Sequence, residues 1–139
     1  FYDLDGTSAR DIYAVGQGGL IVHFDGSTWT EMATGVKDTL RAIDGPVVVG
    51  DNGVVLIRNG SSWRAEKTGT TASLNAVCYL GDNDVWAVGD GGQVIHYDSS
   101  EWKVYLRTLY TVDLKAVWGA TPKDIWFGGE DGYLLKLEP

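Results

Sequence analysis

The chain has little of several things, and each shortage closes a door. It holds one Cys, Cys78, so no internal disulfide can staple it. With Val77 and Tyr79 beside it, Cys78 is expected to be a small buried hydrophobe rather than a nucleophile. Only three Pro and one Met occur in 139 residues. No apolar run approaches the ~18 residues of a membrane span, so no membrane insertion is expected. Cations are scarce: 11 Lys and Arg stand against 19 Asp and Glu, a net charge of −8. Nucleic-acid binding starts from a basic stripe that releases counterions, and none is visible. The charge suits a neutral or cationic partner instead. Segments with helical, 3.6-residue apolar spacing are also missing.

Glycine is abundant, at 19 residues, and its placement is regular. DIYAVGQGGLIVHFDGSTW (11–29), VVVGDNGVVLIRNGSSW (47–63), DVWAVGDGGQVIHYDSSEW (84–102) and DIWFGGEDGYLLKLEP (124–139) are four copies of one segment. Gly16, Gly50, Gly89 and Gly129 mark position zero, and Gly19, Gly53, Gly92 and Gly132 stand at plus three. Trp29, Trp63 and Trp102 stand at plus thirteen. A period of about 34–40 residues indicates a repeat architecture.

Each repeat reads as four short strands. In the third, LNAVC (74–78), DVWAVG (84–89), QVIHYD (93–98) and WKVYLR (102–107) are β-rich runs separated by turn signals. GDGG is a hairpin turn in which Gly accepts positive φ. Ile21, Val55, Val94 and Leu134 occupy plus five; Val22, Leu56, Ile95 and Leu135 occupy plus six. Neighbouring strand positions point to opposite faces, so each sheet must be covered on both. Stacking four-stranded blades around an axis does this. The expected fold is an all-β propeller in one domain, with blades at about 1–36, 37–70, 71–110 and 111–139.

Phe1, Leu40, Leu74 and Leu114 open the first strands. From that strand to position zero is 12 residues in three repeats (Leu4 to Gly16, Val77 to Gly89, Val117 to Gly129) and 7 in the second (Ile43 to Gly50). A loop absorbs that deletion. About fifteen strands result, because the fourth repeat stops after YLLKL (133–137). An apolar edge is normally covered or blunted. Three outcomes are open: closure of four blades by side-chain packing, a larger ring made of several chains, or membership in a longer polypeptide. The absence of an initial Met fits processing or the last outcome.

The copies DIYAVGQGGLIVHFDGSTW and DVWAVGDGGQVIHYDSSEW resemble tandem repeats of bacterial β-propellers related to the Asp-box group, which includes sialidase-like and photosystem II assembly-factor propellers. The Asp-box pattern is Ser-x-Asp-x-Gly-x-Thr-Trp between third and fourth strands. Asp25-Gly26-Ser27-Thr28-Trp29 is similar but one residue shorter; Asn59–Trp63 and Asp98–Trp102 are looser. Here Asp or Asn is expected to accept turn N–H groups, and the Trp to pack against the next blade. The resemblance implies a secreted or cell-surface setting. Unrelated activities share propellers, so it does not name a ligand.

Ligands of such propellers usually meet the mouth of the axial channel. The column following the first-strand apolar residues contains Tyr2, Arg41, Asn75 and Lys115. The turns at the same end carry Asp51, Asp90, Glu130 and Asp131. Two readings follow: charges that pair among themselves, or a shallow polar site for a glycan or a protein surface, with Tyr2 or Tyr110 stacking on a sugar. The leading expectation is a non-catalytic recognition module using Tyr2, Arg41, Asn75, Lys115, Asp51, Asp90 and Asp131. The alternative is an assembly role, a homo-oligomer formed through the edge strand 133–137.

Catalysis is not expected. Sialidase-like propellers grip a carboxylate with three arginines and use a Tyr/Glu pair, whereas Arg41 is the only Arg on an inner strand; Arg10, Arg58, Arg64 and Arg107 lie elsewhere. Glycoside hydrolysis needs two carboxylates about 5–9.5 Å apart, and nothing singles out Asp90 and Asp131 for it. No cofactor or metal is expected. His23 and His96 are two repeats apart and cannot converge on one ion; a structural role between blades suits them better. The acidic turns lack the ligand density of calcium loops.

Overall fold

The computed structural model describes residues 1–105 and 111–137. Tyr110 and Arg107, and the end of the run 102–107, lie outside the described residues.

Fifteen strands form four antiparallel sheets among the described residues. The first blade is β1 (Asp3–Ser8), β2 (Asp11–Val15), β3 (Ile21–Phe24) and β4 (Trp29–Met32). The second is β5 (Leu40–Asp44), β6 (Val47–Gly50), β7 (Val55–Asn59) and β8 (Ser62–Glu66). The third is β9 (Leu74–Gly81), β10 (Asp84–Gly89), β11 (Val94–Tyr97) and β12 (Trp102–Tyr105). The fourth has three strands, β13 (Leu114–Thr121), β14 (Asp124–Gly129) and β15 (Leu134–Lys136). Strands within a blade pair in chain order, so each blade is a meander. The chain is a β-propeller of four repeats, its last blade lacking an outer strand among the described residues. The short link in the second repeat is the tight β5–β6 turn at Gly45 and Pro46. Phe1 precedes β1 and is exposed, whereas Leu40, Leu74 and Leu114 open their strands buried.

The glycine register builds the turn between second and third strands. Each is a single 3-10 turn in which plus two and plus three are left-handed, for example Gly18 at φ 69° and Gly19 at φ 74°. Asn52 (φ 58°) and Asp131 (φ 59°) take plus two elsewhere, residues that enter this region at modest cost. Plus three demands glycine twice over. Gly53 has φ 70°, and a Cβ there would lie 2.0 Å from the Thr70 carbonyl oxygen. Thr68, buried beneath that loop, donates its hydroxyl to the Gly53 carbonyl at 2.9 Å. Thr34 does the same to Gly19 at 2.8 Å.

Blades stack front face on rear face. The front columns are minus three, minus one and plus five: Tyr13, Val15 and Ile21 in the first blade, Val47, Val49 and Val55 in the second, Trp86, Val88 and Val94 in the third. The rear columns are minus two, plus six and plus thirteen, such as Val48, Leu56 and Trp63. Three apolar clusters fill the three spaces between blades.

The direction corrects one expectation. Trp63 packs on the first blade, edge-on to Tyr13 at 5.9 Å, and Trp102 packs among residues of the second. Each Trp therefore meets the preceding blade, not the next, because the outer strand carries it on the rear face. Trp63 and Trp102 are 8% and 7% exposed, whereas Trp29, with no blade behind it, is 53% exposed.

The histidines also act differently from the expected role between blades. His23 contacts Asp11 at 2.7 Å while stacking on Tyr13; His96 contacts Asp84 at 2.6 Å while stacking on Trp86. The fourth blade repeats the device with Lys136 and Asp124 at 2.9 Å, the ammonium lying over Trp126. Each clamp spans two strands of its own blade.

Trp102→Ala should lower unfolding free energy by about 3–5 kcal/mol, the loss typical of buried aromatic truncation. Urea denaturation checks this, and a loss below about 1 kcal/mol would contradict the placement.

Candidate functional site

The four first strands run side by side along the axis, and their side chains and backbones staple blade to blade. The Ile43 N–H donates to Asp3 Oδ2 at 3.0 Å, and the Gly45 N–H to Asp5 Oδ2 at 2.7 Å. One blade on, the Tyr79 N–H donates to Asp44 Oδ2 at 2.8 Å. Cys78 stands in the column of Asp5 and Asp44, and its sulfur receives the Gly119 N–H. A thiol accepts weakly, but it occupies the carboxylate's place. Cys78 is buried in the apolar cluster between the third and fourth blades, and that burial with the nearby Asp44 pushes its pKa up.

At the end of the arc where first strands begin, the expected column is assembled. Arg41 grips Asp51 with Nε at 2.5 Å and Nη2 at 3.2 Å. This pairing raises the pKa of Arg41 and lowers that of Asp51. The Arg41 guanidinium also lies 5.4 Å from the centre of the Tyr2 ring. Tyr2 accepts a weak 3.4 Å hydrogen bond from Gln17 Nε2. Asn75 donates both amide hydrogens, to Asp90 Oδ1 and to the Leu114 carbonyl, each at 2.9 Å. Lys115 approaches Asp90 at 3.7 Å and Asp113 at 3.9 Å.

Six of the seven expected residues therefore line this end as a ladder in two sections: Tyr2, Arg41 and Asp51 across the first and second blades, and Asn75, Asp90 and Lys115 across the third and fourth. Its rungs join blades one to two (Tyr2–Arg41) and three to four (Asn75–Leu114, Lys115–Asp90). Asp131 is not part of it. It sits at plus two of its turn, left-handed and exposed, one position beyond the column of Asp51 and Asp90. The loop carboxylate that joins instead is Asp113, which also accepts the Gly91 N–H at 2.8 Å.

The ladder is a set of prealigned donors and acceptors. Asp51 is neutralised by a two-point arginine, and Asp90 is held by an amide. Among the described residues, no three of His, Cys, Asp and Glu converge as metal ligands. At the outer turns, Asp25 Oδ1 accepts the Ser27 and Thr28 N–H groups, each at 2.9 Å, as expected of this turn. Asp98 instead takes the Lys103 ammonium at 2.6 Å and the Ser100 hydroxyl at 3.0 Å, which bring its pKa down to about 2.

Sequence reasoning missed the staples and the threonine latches. The signals were present: Thr34-Gly35 and Thr68-Gly69 share plus eighteen and nineteen, and Asp5 and Asp44 share a column.

Asp44 supplies a pH test. Burial, with Asp5 and Asp3 nearby, raises its pKa above 3.8, against the opposing Tyr79 hydrogen bond. An acid with a raised folded pKa binds its proton earlier when folded, so its contribution falls as pH rises from about 4. Asp44→Asn retains an acceptor for Tyr79 and removes this fall. The variant should gain stability relative to the parent between about pH 4 and 7. Urea midpoints at several pH values check it; the parent gaining instead would refute the assignment.

No protein-family model matches the chain, and no curated protein matches it by sequence. Solved structures do match in fold. "YCF48 bound to D1 peptide" superposes with a TM-score of 0.72 at 15% identity, covering 99% of this chain and 50% of that one. "YCF48 from Cyanidioschyzon merolae" gives 0.70 at 19% identity, covering 99% and 53%. The chain thus spans about half the length of these structures. At such identities the likeness concerns the fold, and it agrees with the propeller read from the repeats.

Proposed function

We propose that the chain is a non-catalytic binding module that takes a polypeptide segment of a protein partner along the ladder from Tyr2 to Lys115. The observation that carries this is the bracing of the ladder. Arg41, Asn75 and Asp90 are already held by their neighbours, so a ligand meets fixed groups and little side-chain freedom remains to be lost. Arg41 spends two of its five N–H donors on Asp51. Lys115 sits at loose ion-pair distances and is exposed. These two offer donors to backbone carbonyls or a carboxylate of the partner. Glu130 and Asp131, exposed on the adjacent turn, offer acceptors to amides or basic side chains. The acidic balance of the whole chain draws a neutral or basic segment. A structure of the same fold, "YCF48 bound to D1 peptide", carries a peptide, which supports a protein partner over a glycan.

The ladder's use of its own carboxylates argues for recognition rather than turnover. A hydrolase needs one carboxyl free to deliver a proton and a second free to act on the sugar, and of the pair Asp90 and Asp131 the first is held by the Asn75 amide.

The test is a peptide array run beside a glycan array, followed by titration of the best ligand. Arg41→Ala combined with Lys115→Ala should weaken peptide binding tenfold or more, since hydrogen bonds to charged groups contribute about 1.5–3 kcal/mol each. Binding to glycans alone, or peptide binding untouched by both substitutions, would overturn the reading.

A further inference from the structure

The repeat columns that are buried between blades are open at both ends of the arc. The front face of the fourth blade presents Trp118, Trp126 and Leu134 to solvent. Leu134 is 67% exposed, while its equivalents Ile21 and Val55 are fully buried. The rear face of the first blade presents Phe1, Leu4, Val22 and Trp29, which with Ala14 line an almost wholly apolar hollow of about 440 Å³. Its equivalents Ile43, Leu56 and Trp63 are buried. Exposed apolar patches of this kind mark interaction surfaces.

We propose that these two faces bind each other between two copies of the chain, head to tail, so that the fourth blade of each copy seats on the first blade of the other. The contact continues an interface the chain already makes three times, front columns on rear columns. Register assigns its partners. Trp29 meets Trp126 as Trp63 meets Tyr13. Leu134 enters beside Val22 as Ile21 lies with Leu56 in one cluster. Trp118 stands in the column of Asp5, Asp44 and Cys78, whose partners are Gly45, Tyr79 and Gly119. Its own counterpart is Gly6, where no side chain obstructs the ring. A front-on-rear contact is heterologous, and it closes where the rotation permits. Two copies supply eight blades and together match the length of the solved propellers, of which one chain spans about half.

The contact uses the front face of β15, through Leu134, rather than its open backbone edge. Leu135, on its other face, packs back on the third blade, so a charge there would damage the chain itself. Leu134 is the residue that reads out association.

Light scattering across a concentration series should give twice the 15.1 kDa mass of one chain. Leu134→Lys and Val22→Glu should each reduce it to one chain. Mixing the two variants should restore the pair, since one junction is then unaltered and the other sets Lys against Glu. That rescue separates loss of contact from loss of folding. Arg41→Ala should leave the mass unchanged. A parent chain that stays at 15.1 kDa, its faces left for blades of a longer polypeptide, overturns the proposal. So does a pair that survives both face substitutions, or variants that do not pair on mixing.

Discussion

Everything in this molecule depends on the burial of one sheet face against the next. A four-stranded meander with apolar residues on both sides has no stable existence alone; it needs a neighbour before and a neighbour behind. The consecutive columns at plus five and plus six enforce this, because strand geometry sends them to opposite faces. Radial order follows without an internal disulfide, since Cys78 is the one cysteine of the chain. The inner strands add a polar version of the same contact. Asp3, Asp5 and Asp44 reach across to backbone N–H groups of the following blade. Those bonds are directional, and they fix the register that the apolar clusters leave loose.

That division explains what could be read from the sequence. Spacing alone revealed the repeat, the second-to-third-strand turn and the two-faced sheets, because glycine at plus three and paired apolar columns admit few alternatives. It also brought Tyr2, Arg41, Asn75, Lys115, Asp51 and Asp90 to one end of the arc. It did not reveal direction. Whether Trp63 meets the blade before or after it depends on sheet twist and strand order, which a column of letters does not carry. The Asp11–His23 and Asp84–His96 clamps escaped for a different reason. Their members are twelve residues apart and become neighbours only when β2 pairs with β3, or β10 with β11. Asp131 was misplaced by a single position. The turn twists so sharply that plus one faces the ladder while plus two faces water.

The ladder bears on both readings of the polar column. Its charges do pair among themselves, Arg41 with Asp51 and Lys115 with Asp90. Pairing and recognition are not exclusive, however. A guanidinium gripping a carboxylate is fixed in space and still has donors to spend. The blades thus supply rigidity, and residues near the start of the inner strands display on it the polar groups that we propose meet a partner.

The same column logic gives the terminal blades their character. Trp126 stands at minus three with Tyr13, Val47 and Trp86, and Leu134 stands at plus five with Ile21, Val55 and Val94. Loop tips here are polar, as at Asn59, Ser99 and Glu101, whereas the front face of the fourth blade carries two tryptophans and a leucine. Its Lys136 lies over the Trp126 ring and holds Asp124, the arrangement that His96 and Trp86 adopt beneath a covered interface. A face built to the pattern of three buried ones is a face built to be covered.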